Sequence, residues 1–285
     1  MKKVLVLVAA FCGCLLVPFQ GSAAAPADVI CSQDTNFFTG TARNLIVPEF
    51  GFCEVNAATI THDLIVQMGA GADVSESSIG HDLVLRPDEA GADVSDTWIG
   101  HDLTVGSAGG VHLERTSIGH DLDASEPQSV QTGRNGPESS GGPVNIGHDL
   151  LIDGSPEGFA FVFDGMCALN VGHDMKVTDR AVTLGFGIGD NCAAKGLAEN
   201  VIGNDLLVTG NSALVGFFGP SSLEVGNNHV GRDLVFRGNI AAPGGYLEVA
   251  DNIVGRDAIC ESNNPVAGKD ASDGPNVAGR LNTCG

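Results

Sequence analysis

Aromatic and basic residues are scarce in this 285-residue chain: one Trp and one Tyr accompany 13 Phe, and 14 Lys and Arg stand against 35 Asp and Glu. A formal charge of −21 at pH 7 removes the electrostatic basis for binding nucleic acid or anionic lipid. Beyond the first 17 residues no apolar run approaches the ~18 residues of a membrane-spanning helix. Helix-period amphipathic segments of useful length are missing too, which excludes helical and βαβ architectures. Also absent are Gly-x-Ser-x-Gly, His-Glu-x-x-His and a phosphate-binding loop, so no motif announces a reaction.

What is present begins with Lys2, Lys3, an apolar stretch from Val4 to Val17 and small residues from Gly21 to Ala25. This is the anatomy of a cleaved secretory signal over residues 1–24. Cys14 would suit lipidation, but Phe11 stands where such signals prefer Leu. Cleavage would leave 12 of the 14 basic residues and six of the eight cysteines. An even number of cysteines in an exported chain reads as three disulfides.

Gly is abundant, at 40 residues, because the chain repeats a corner. Ile79-Gly80-His81-Asp82-Leu83 recurs at His101-Asp102, His120-Asp121 and His148-Asp149. It continues as Val171-Gly172-His173-Asp174, Ile202-Gly203-Asn204-Asp205, Val230-Gly231-Arg232-Asp233 and Val254-Gly255-Arg256-Asp257. Thr61-His62-Asp63 and Arg43-Asn44 precede the series, and Gly279-Arg280 closes it. From His62 the steps are 19, 20, 19, 28, 25, 31, 28, 24 and 24 residues. Alternation after each corner, as in Leu64 and Val66, means strand. These features predict an all-β, single-domain parallel β-helix of about eleven coils, wound right-handed, roughly 50 Å long at ~4.8 Å per coil. The expected divisions are 25–57 for an N-terminal cap and first coil and 58–285 for the repeats. The corner glycines are read as positive-φ residues.

Two Asn series share this register: Asn200, Asn228, Asn252 and Asn276 lie three residues before the corner Gly, and Asn211, Asn239 and Asn263 lie seven after the corner residue. Stacked Asn side chains bond one another and the turn backbone. Cys260 and Cys284 each follow a corner Arg by four, so they stack one coil apart. The same separation pairs Cys31 with Cys53 and Cys167 with Cys192.

The Asn-x-Val-Gly-x-Asp-Leu pattern, with Gly-Asn a few residues on and a Cys-containing close, resembles the repeats of secreted bacterial proteins of actinobacterial type. The likeness covers most of residues 58–285 and is strongest after Asn200. It implies an exported β-helical protein with no assigned activity. His at the corner departs from the usual Gly.

The one constellation with chemical content is the His-Asp ladder: His62, His81, His101, His120, His148 and His173, each beside an Asp. Imidazoles stacked ~4.8 Å apart beside carboxylates are a possible transition-metal chelate, with His81, Asp82, His101, Asp102, His120, Asp121, His148 and Asp149 at its centre. A structural role is preferred, because Asp at a turn accepts backbone N–H bonds and the series drifts to Asn204, Arg232 and Arg256. Lone His112 and His229 read as surface residues. Residues 123–145 read as a flexible loop. Phe159, Phe161 and Phe163, with Phe217 and Phe218 later, read as interior filling rather than a sugar platform. No cofactor is called for. The expected function is a non-enzymatic extracellular structural or interaction protein that engages an envelope polymer or protein. A polysaccharide lyase or hydrolase and a metal-binding ladder are the alternatives.

Overall fold

The computed structural model describes residues 25–31, 36–133, 142–155, 163–183, 185–189, 192, 198–216, 219–268 and 273–284. They form an all-β parallel solenoid, and no helix occurs among them. The strands that follow each Gly-x-Asp corner make a ladder of eleven, from Val29–Ile30 and Leu45–Val47 through Leu103–Val105 to Ala258–Glu261. Each is parallel and in register with the next, so Leu64, Leu83, Leu103 and Leu122 lie one above another. A second face runs from Gly71–Ser75 through Gly91–Ser95 and Gly110–Glu114 to Leu247–Ala250. A third, shorter face runs from Ser78–Ile79 to Val277–Ala278. Phe52–Ile60 joins the last two by running unbroken through residues 57 and 58.

Period-two alternation creates the core. In Leu64–Val66 the outer residues are buried and Ile65 between them is half-buried. The buried columns hold like residues: Leu on the first face, Ile60, Ile79, Ile99, Ile118 and Ile146 on the third. Each such side chain contributes about 1.5–3 kcal/mol by leaving water. Stacking like on like keeps the cross-section constant from coil to coil.

The corner glycines have a different cause from the one the sequence suggests. None of Gly80, Gly100, Gly119, Gly147, Gly172, Gly203, Gly231, Gly255 or Gly279 has a positive φ. They are required because the coils touch there: a Cβ on Gly147 would lie 2.1 Å from the Gly119 carbonyl oxygen, and one on Gly231 2.0 Å from that of Gly203. The left-handed conformation falls four residues earlier, on Glu76, Asp96, Arg115, Asn227 and Asp251.

Insertions enter at the corners and leave the ladders intact. The 123–145 stretch is less of a loop than its composition suggests: Ser129–Thr132 is a strand of the second face, with Val130 and Thr132 buried. Its two buried residues are too few to stand out in a Pro-, Gln- and Ser-rich context. Residues 134–141 lie outside the described residues, as do Phe159, Phe161, Phe217, Phe218 and the side chain of Phe163. From residue 181 onward the coils gain a fourth short ladder, Ala181–Val182, Ser212–Ala213 and Ile240–Ala241. Disulfides join Cys31 to Cys53, Cys167 to Cys192 and Cys260 to Cys284, with Cα separations of 6.1, 5.5 and 4.9 Å. Three disulfides belong to an oxidising environment.

Candidate functional site: the imidazole and carboxylate ladder

The six imidazoles stack at one corner because the glycines before them allow close contact of successive windings. Ring centroids of His62, His81, His101, His120, His148 and His173 are 4.9, 5.0, 5.1, 5.1 and 4.8 Å apart, and from His81 onward the planes lie within 5° of parallel. From His81 onward each Nδ1 sits between two carboxylates, its own and that of the coil below, while His62 has only its own Asp63, at 3.0 Å. For His81 the distances are 3.1 Å to Asp82 and 3.1 Å to Asp63; for His120 they are 3.0 Å to Asp121 and 3.2 Å to Asp102. His101 and His148 repeat this with Asp102 and Asp82, and with Asp149 and Asp121.

Each Asp carboxylate also accepts the amide of the next coil's Asp: Asp63 from Asp82 at 3.2 Å, Asp121 from Asp149 at 2.8 Å, Asp205 from Asp233 at 3.1 Å. This second series runs the length of the rod, from Asn44, which accepts the Asp63 amide, to Asp257, which accepts the Leu281 amide. Where His gives way, after Asn204, Arg pairs with the carboxylates. Arg256 is bidentate on Asp233 and Arg280 on Asp257.

The tautomer follows from the partners. Two carboxylate oxygens beside Nδ1 require a proton on it, which leaves Nε2 as the acceptor of the neutral ring. No described residue bonds these Nε2 atoms, and the side chains are close to half exposed. Burial works to raise the Asp63 carboxyl, but the Asp82 amide and the imidazoles of His62 and His81 outweigh it and hold it below the usual range. Asp149 behaves alike, through the Asp174 amide and His173. Asp123, outside the ladder, is pushed up by burial and by the charges of Asp121, Asp102 and Asp153.

Five His-Asp-His groups bring their ligand atoms within 4.8 Å of one another. An ion held there needs contacts of about 2.0–2.2 Å to nitrogen and oxygen and the loss of the Nδ1 proton. Nδ1 lies 3.0 Å from Asp102 in His101 and 3.0 Å from Asp149 in His173, within hydrogen-bond range, which holds that proton in place. The outward Nε2 lone pairs of parallel rings do not converge on a common point.

Comparison with protein-family models, curated proteins and solved structures finds no match.

A second feature escapes the repeat-based reading. A groove of about 290 Å³ lies on the second face, with Phe52, Asp93, His112 and Gln131 in its lining, and a hollow of about 240 Å³ adjoins it around Asp73, Asp93 and Glu114. His112 is half-buried rather than a plain surface residue: Nε2 lies 3.2 Å from the Gly133 carbonyl and Nδ1 3.5 Å from Asp93. His229 is exposed and bonds Glu199 at 2.7 Å. The signal in the sequence is Gly71-Ala72-Asp73-Val74-Ser75, repeated identically at 91–95.

Proposed function

We propose that the chain is exported through its N-terminal leader and acts as a non-enzymatic scaffold, its histidine corner lying along an extended, uncharged envelope polysaccharide. The observation that carries this is the row of six half-exposed imidazoles with ring centres 4.8–5.1 Å apart, five of them fixed in one tautomer by paired carboxylates. Successive sugars of an extended β-1,4-linked polymer advance by close to one coil, so a chain parallel to the rod meets an equivalent acceptor at each residue. Fixing the rings in advance spares the ordering cost that flexible side chains would add on binding. The excess of acid weighs against anionic polymers. The resemblance of the repeat to exported actinobacterial-type proteins supports the extracellular setting, as do the three disulfides.

Co-sedimentation with insoluble cellulose and chitin tests the reading. The wild type pellets with at least one polymer, and the double variant His101→Phe/His120→Phe, which keeps the rings but loses the acceptors, pellets severalfold less. Wild-type protein that pellets with none, or a variant that pellets equally, overturns it. Titration with zinc, copper or calcium yields no heat above dilution. New unsaturated products from uronate polymers would replace this function with an enzymatic one.

A further inference from the structure

The groove on the second face stands on observations separate from the corner. Its floor is one outward column of the sheet, Phe52, Gly71, Gly91, Gly110 and Ser129, paired coil to coil. Glycines in strands weaken them, so three in succession need a reason. Conformation is not it, since none has a positive φ. Packing is not it either. A Cβ on Gly91 would meet only the Gly110 carbonyl, at an ordinary 3.6 Å, and one on Gly110 would press at 3.1 Å on the free end of the Ser129 side chain. At the corner glycines, by contrast, a Cβ would come within 2.0–2.5 Å of a backbone carbonyl oxygen. What the Gly71, Gly91 and Gly110 column does is leave the backbone bare.

The surroundings of this bare strip define what fits it. Phe52, half exposed, closes one end, and its ring lies 3.1 Å from where a Gly71 Cβ would be. Along one side run Asp73, Asp93, His112 and Gln131, one per coil. The His112 Nε2–H donates to the Gly133 carbonyl, and Nδ1 faces Asp93 at 3.5 Å. Glu114, almost fully buried, backs His112 at 3.6 Å.

We infer that this groove binds a short stretch of uncharged glycan, its sugar faces on the glycine floor and Phe52 and its hydroxyls donating to Asp73 and Asp93. A pyranose is the ligand type with apolar C–H faces and a polar rim, and the groove offers a bare or aromatic surface beside a line of acceptors. Ionised Asp73 and Asp93 turn away uronates, phosphates and sulfated sugars. Three coil steps, roughly 14 Å, accommodate about three sugar residues. This site is on a different face from the imidazole row and does not depend on that row's function.

Calorimetry with soluble cello- and chito-oligosaccharides of three to five residues decides the matter. Wild-type protein gives saturable heat with one series and none with oligogalacturonate. Gly91→Phe, which fills the floor, and Phe52→Ala, which removes the end wall, each weaken binding by about tenfold or more, with unchanged melting temperature. Heat that survives in His101→Phe/His120→Phe and is lost with Gly91→Phe comes from the groove, whereas heat lost with the histidines comes from the corner and overturns the inference. Should Gly91→Phe fold poorly, Asp73→Asn/Asp93→Asn substitutes for it, with the same expected loss. No heat from either neutral series, or full affinity in folded groove variants, overturns the inference.

Discussion

Between His62 and His120 the windings are 19 or 20 residues long, whereas after Asn204 they take 24 or 28 and turn one more corner. The shorter coils carry His at the glycine corner and Ser77, Thr97 and Thr116 three residues before it. The longer ones carry Asn204 and then Arg there, and Asn200, Asn228, Asn252 and Asn276 in the equivalent place. Thr97 and Thr116 each donate to the carbonyl two residues back, Ser95 and Glu114, and reach the coil below through a backbone group, the Ser77 amide and the Val94 carbonyl. Asn228 donates to Asn252, to Gly226 and to Ile188, while accepting from Asn200. A carboxamide has two N–H donors beside its acceptor, so it bonds the next side chain as well as the backbone of its neighbours. The extra corner needs its own series, Asn211, Asn239 and Asn263, and buried Arg180 heads it, reaching back to the carbonyls of Pro127 and Gly154 at 2.7 and 2.6 Å. Lengthening a coil thus brings a further polar ladder with it.

Both halves share the glycine corner, and breaking it gives the largest effect. Gly147→Ala drives a Cβ into backbone and costs more than about 4 kcal/mol by urea denaturation, while Gly91→Ala stays within about 0.5 kcal/mol. Next comes the longer-coiled end: Cys260→Ser/Cys284→Ser loses about 3 kcal/mol, and hydrogen exchange shows the loss confined to the last windings. The two ladder types then separate, with Asn228→Ala costing about 2–3 kcal/mol through stranded buried partners and Thr97→Ala about 1 kcal/mol.

Acid gives the smallest difference. Asp63 and Asp149, and Asp233 beside the Arg256 guanidinium, have folded values below the ordinary one. Their contribution is therefore complete above the unfolded carboxylate value of about 3.9 and is lost as pH falls through the lower folded values. Stability followed by circular dichroism stays level in this respect from pH 7 to 5 and declines below about 3.9. Arg256→Ala makes that decline shallower at the C-terminal end only.

Most of this architecture is legible because a solenoid writes itself as a repeat. Corner spacing places His101 over His81, Asn252 over Asn228 and Cys284 over Cys260, since equal offsets in successive coils become vertical neighbours. The reason for the corner glycines is not legible, because contact between windings leaves the same letter as a positive φ. Ser129–Thr132 is obscured by its short length, and the groove by its composition, since a bare floor is written in glycine and alanine. The imidazole stack is visible in the spacing, but the tautomer is not, for it depends on Nδ1 lying between two carboxylates.

The carboxylate series has a direction, each Asp receiving an amide from the winding that follows. At the final corner the Leu281 amide is received by Asp257, yet Leu281 occupies the position where every earlier repeat from His62 onward sets its own acid. The side-chain acceptors of this series therefore run out one corner before the glycine and the basic residue do, at Asp257 rather than at Gly279 and Arg280.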